Sequence, residues 1–152
     1  MNQLHPALSG LPGAFIALLA VVEGACFFRG TQCPRPLRSV IVSAVLAATV
    51  AAFLSGYQAS SALGDLPADV SSELGFHHAV GRFLLIGAFL LAVFAWLATV
   101  ARRRQALFRL LYLSALAAQV SVNIWVGLLG GRLVFERGVG VSVQAVRALP
   151  QP

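Results

Sequence analysis

Lysine is absent from this chain, methionine occurs once, cysteine twice, and only five acids are spread over 152 residues. Each shortage excludes something. Charged residues make up 11% of the sequence and hydrophobic residues 59%, with a mean hydropathy of +0.84, whereas a soluble domain is about a quarter charged. So few charges cannot cover the outside of a water-soluble fold, and much of the surface must face lipid or protein. The same composition excludes disorder. Cys26 and Cys33 are too few and too close for a disulfide framework, and a structural bond between them is not expected. They read as small apolar residues near a helix end. No Cys-x-x-Cys-His occurs, which removes covalent c-type heme attachment. Phosphate loops, nucleophile elbows, His-Glu-x-x-His and cysteine metal clusters are also missing. The first 28 residues hold no Lys or Arg and so lack the basic start of a secretory signal. The first apolar run is therefore expected to remain as an anchor.

What is present is a set of four apolar stretches, over about 8–28, 39–58, 79–101 and 106–129. Each approaches or exceeds the roughly 20 helical residues that cross a bilayer core. An apolar chain of this size satisfies its backbone in lipid as helices. The expected fold is an all-α, integral membrane four-helix up-and-down bundle over 1–131. Gly127, Gly130 and Gly131 are read as the end of the last helix, and the glycine-bearing alternation that follows as an extended external tail over 132–152.

The net charge of +6 and pI near 11.1 would suggest nucleic acid in a soluble protein. Here the basic residues are all Arg and gather between apolar runs, so no nucleic-acid role is expected. Arg29, Arg35 and Arg38 mark the first connection and Arg102, Arg103, Arg104 and Arg109 the third, while Asp65, Asp69 and Glu73 mark the second. The positive-inside rule then puts the first and third connections in the cytoplasm of a bacterial inner membrane. Both termini and the acidic connection fall on the periplasmic side. Arg132, Arg137 and Arg147 in the tail oppose this, seven arginines against three.

Ionisable groups inside spans are costly and mark functional hypotheses. Glu23 is the only such acid. It reads first as an interfacial ion pair with nearby Arg29 or a snorkelling carboxylate, and second as a proton-handling or quinone-contacting group. The histidines converge. His5 precedes the first span, His77 and His78 the third, and in an up-and-down bundle those ends share a membrane face. Two neutral imidazoles from opposite sides are what a six-coordinate b-type heme takes, and bundles build such sites from facing helices. His5 and His78 are the candidate axial ligands, with His77 as substitute. Arg82 lies one turn after His78, where it could pair with a propionate, and Gly81 would admit a flat ring. Three histidines allow one heme, not two. The plain alternative leaves these side chains bonded to water, lipid or backbone, with His5-Pro6 as a helix start. Gln119 and Asn123, four apart beside Trp125, are expected to hydrogen-bond a neighbouring helix.

Leu4-His5-Pro6-Ala7-Leu8, the membrane acid Glu23, His78 and above all the segment Gly130-Gly131-Arg132-Leu133-Val134-Phe135-Glu136-Arg137-Gly138-Val139-Gly140-Val141 together resemble a bacterial membrane family catalogued as domain of unknown function 2231. The resemblance covers essentially the whole chain. It implies a four-helix membrane protein in a respiratory or redox setting, since some members accompany c-type cytochrome modules. The functional expectation is a small subunit of a membrane redox complex that binds one b-type heme near the periplasmic face, with a periplasmic cytochrome among its candidate partners. A non-catalytic assembly subunit of a respiratory or photosynthetic complex is the competing class. A transporter or channel ranks last, because no string of polar groups crosses the midplane.

Overall fold

The structure is a computed structural model in which residues 4–139 are described. The elements are α1 (Leu4–Ser9), α2 (Leu11–Phe28), α3 (Arg35–Ser61), α4 (Ala68–Val100) and α5 (Gln105–Phe135), with a single 3-10 turn at Arg102–Arg104. No strand occurs among the described residues. Four of the helices are long and apolar enough to cross a membrane, and the chain is a multi-pass, all-α membrane protein.

Proline sets the starts. Pro12 and Pro36 lie in the first turns of α2 and α3, where the missing N–H costs nothing, and Pro34 and Pro67 sit just before α3 and α4. Gly30 ends α2 at φ +64, with its N–H on Phe27 O and the Thr31 N–H on Cys26 O at 2.9 Å. This is the Schellman arrangement, which favours glycine for its left-handed conformation.

Consecutive helices pack against one another, α1 lies on α2 and α3, and α2 also meets α5. The core runs along buried faces at helical spacing: Ile16 and Leu19 on α2, Val45 on α3, Leu84 and Leu91 on α4, Tyr112 and Leu116 on α5. Phe83, Trp96, Ile124 and Leu128 point outward, which suits hydrocarbon and not water.

Three boundaries differ from those expected. The first span is broken at Gly10 into α1 and α2. The second connection is only 62–67, because α4 begins at Ala68 and not near 79, so His77 and His78 sit inside the helix and do not precede it. The fourth span runs through Gly130 and Gly131 to Phe135, so the extended tail does not start at 132. Gly138, at φ +66, stands beyond the true end. The rest of the expected tail, 140–152, falls outside the described residues.

The longer helices reach past a bilayer core of about 30 Å, since α4 and α5 are about 50 and 46 Å long at 1.5 Å per residue. Arg137 fastens their ends together: Nη2 donates to Glu73 Oε1 at 2.5 Å, Nε to Oε2 at 3.3 Å, and Nη1 to Asp69 at 3.2 Å. Phe76 meets Trp125 edge to face, 5.6 Å between centroids.

Candidate functional site at the histidine end

The break at Gly10 leaves α1 free to lie across α3, and this decides where His5 goes. Its Nδ1 is 3.0 Å from Ser55 Oγ, and the Ser55 hydroxyl donates to Ala52 O, also at 3.0 Å. Because the single hydroxyl hydrogen is engaged there, His5 Nδ1–H is the donor to Ser55 and Nε2 keeps its lone pair in the neutral ring. The ring packs against Gly56, where a Cβ would stand 2.9 Å from Cε1. Burial lowers the His5 pKa below its ordinary value of 6.5 and outweighs the opposing backbone hydrogen bond at Ala52.

His77 points inward from α4 onto Gly130 of α5, where a Cβ would come within 3.2 Å of Cε1. Its Nδ1 is buried and has no hydrogen-bond partner. The neighbouring ring of His78 is 6.1 Å away between centroids and tilted by 50°. His5 lies within electrostatic reach of both. Three imidazoles from the first helix and from the third turn of α4 therefore share one end of the bundle, as the up-and-down topology requires. Arg82 is exposed one turn beyond His78 and has no partner among the described residues.

At the opposite end lies a second polar cluster that the sequence reading paired wrongly. Glu23 is 5% exposed and bonds not to Arg29 but to Arg38, itself 5% exposed. Arg38 Nε donates to Oε1 at 2.6 Å and Nη2 to Oε2 at 3.3 Å, while the Tyr112 hydroxyl donates to Oε1 at 3.0 Å. The guanidinium carbon stands 5.2 Å from the centre of the Tyr112 ring. The Glu23 carboxylate is thus buried and held by groups from α3 and α5, so it does not snorkel to the interface. Periodicity carried the signal. Pro12, Ile16, Leu19 and Glu23 form the buried face of α2, and Arg38 shares a face with Ile41, Val42 and Val45. Tyr112, Leu116 and Gln119 do the same on α5.

Cys33 is buried beneath this cluster, within hydrogen-bonding reach of Cys26, and both thiols are free. Burial pushes the Cys33 thiol up, and Glu23 adds to this, so it is a protonated and unreactive group. Midway along the bundle Gln119 donates to Leu84 O at 2.8 Å and closes over Gly87, as the expected interhelical bond. Asn123 lies against Gly13 of α2. Comparison of the chain with family models, with curated proteins and with solved structures finds no match.

Proposed function

We propose that the chain is a small integral membrane subunit of a redox complex that holds one b-type heme at its histidine end. The observation that carries the reading is the gathering of His5 from α1 with His77 and His78 from α4. The donor set suits the group. A porphyrin iron brings four ring nitrogens of its own and asks the protein for two imidazoles. His5 has the form of a ligating histidine: Nδ1–H is held by Ser55 and Nε2 is free to bind, which is how outer hydrogen bonds orient metal-bound imidazoles. His5 and His78 would hold the iron, His77 stands as the substitute, and Arg82 would meet a propionate. The group, when bound, supplies one-electron transfer at a potential that axial ligands and burial tune. The chain's own part is to orient the His5 imidazole through Ser55 and keep it neutral by burial.

The arginine-bearing connections would then face the cytoplasm of a bacterial inner membrane, with the histidine end periplasmic and open to a cytochrome donor. The respiratory setting rests on the resemblance of the closing segment at 130–141 to the family named above. Reduced-minus-oxidised spectra of the purified chain test the proposal directly. We expect b-type bands that vanish in His78→Ala and His5→Ala and survive in His77→Ala. A colourless wild-type protein would overturn it.

A second reading is an assembly subunit without its own cofactor. It is favoured by α5, which has the smallest buried share of the four spans. Its outer face carries the small residues Ser114, Ala117, Ala118 and Ser121, which permit close helix approach. Truncation after Val139 separates the two: loss from the complex with unchanged spectra supports assembly.

A further inference from the structure

We propose that the end of the bundle opposite the histidines is a binding surface for anionic phospholipid headgroups, read by arginine forks in the plane of the lipid phosphates. It stands independently of the heme reading. Seven arginines lie in or beside the two connections at this end. Arg38 is withdrawn into the bundle and neutralised by Glu23. The other six, Arg29, Arg35, Arg102, Arg103, Arg104 and Arg109, have no acidic partner among the described residues. Neither connection contains an acid, and these six arginines together carry +6, as much as the formal net charge of the whole chain.

The opposite end is arranged differently. There Arg132 is paired with Glu136, and Arg137 with Glu73 and Asp69. Apart from Arg82, unpaired positive charge among the described residues is thus concentrated at one end, and by burial of its only nearby acid that end is left with nothing to neutralise it from within. Guanidinium groups grip phosphate oxygens two at a time, which the ammonium of the absent lysine cannot do.

Depth identifies the phosphate source. Phe28, beside Arg29, is 88% exposed, and Trp96 and Val100, below Arg102, are 62% and 50% exposed. Such apolar side chains belong in hydrocarbon and at its interface, which holds the neighbouring arginines in the headgroup layer. Arg102, Arg103 and Arg104 form a 3-10 turn, whose side chains leave the axis about 120° apart at three residues per turn. They fan out toward separate headgroups instead of converging on one phosphate, so more than one lipid is expected per chain.

The test uses the full chain purified in an uncharged detergent and titrated with short-chain phosphatidylglycerol or phosphatidylcholine. We expect preferential binding of phosphatidylglycerol that weakens with salt. In the triple variant Arg102→Gln, Arg103→Gln, Arg104→Gln fewer lipids should bind per chain and the affinity at each site should fall roughly fivefold, the factor expected for one basic group near an anionic surface. Arg132→Gln should stay within about twofold of wild type by the same principle, since its charge is already answered. If the triple variant loses helicity, Arg29→Gln with Arg35→Gln replaces it and should also weaken binding. Equal affinity for the two lipids, or unchanged affinity in a folded variant, overturns the proposal. So does free glycerol phosphate, an oligonucleotide or an acidic peptide competing as well as the lipid does.

Discussion

At the scale of single residues, Glu23 and Arg38 show how a buried charge is kept in an apolar bundle. Removing one member leaves the other without a partner, and breaking such a pair costs about 3–5 kcal/mol. Glu23→Leu should therefore destabilise the chain by about that amount, and the double variant Glu23→Leu, Arg38→Leu should recover most of it. Tyr112→Phe, which removes a hydrogen bond to the ion-paired carboxylate, should cost about 1.5–3 kcal/mol. Unfolding of wild type, Glu23→Leu, Arg38→Leu and the double variant in detergent measures the coupling, and additive losses would contradict an interacting pair. His5 gives a pH dependence. Its folded pKa is lowered from 6.5, so the unfolded chain binds the proton more readily. Stability is then whole above about 6.5 and falls as the pH drops below it. Comparing melting temperatures at neutral and mildly acid pH, wild type against His5→Gln, should show a smaller acid loss in the variant.

Among the helices, glycine sets how closely two can approach. Gly130 was legible as a helix breaker, yet it lies within α5 and gives room to the His77 ring. A Cβ at 3.2 Å from Cε1 must push the imidazole. Gly130→Ala should thus shift His77 and loosen the α4–α5 crossing at the histidine end, while the buried triad at the other end is untouched. Cysteine cross-linking across α4 and α5 near each end would report it, and an equal change at both ends would count against the assignment. Helix existence was legible because long apolar runs bounded by Pro, Gly and Arg admit few alternatives in lipid. Helix ends were less so. The acids Asp69 and Glu73 read as loop because polar residues leave the hydrocarbon, but leaving the hydrocarbon does not end a helix. Intrahelical hydrogen bonds continue in water, and the Arg137 bridge holds these extra turns together.

Across the whole molecule, the two polar clusters occupy opposite ends. The histidine end gathers three imidazoles and the paired ions of Arg132 and Arg137, and the arginine end gathers unneutralised charge. A short α2 of 18 residues beside an α4 of 33 means that the bundle's extra length lies at one end only, the end where α1 folds across α3. A protein that both holds a cofactor and resides in an anionic leaflet would lose its lipid preference in the arginine variants without losing any visible spectrum.

Composition and spacing alone determined that the chain lives in a membrane as four helices, which ends of the spans carry arginine, and that three histidines share a face. These follow from transfer free energy and from chain topology, which depend on residue type and order. Only the tertiary structure decided that Glu23 takes Arg38 and Tyr112 rather than Arg29, that His5 is oriented by Ser55, and that His77 keeps an unpartnered nitrogen. Those choices depend on how helices rotate about their axes until their buried faces meet, and neighbours in space across such a seam are far apart along the chain.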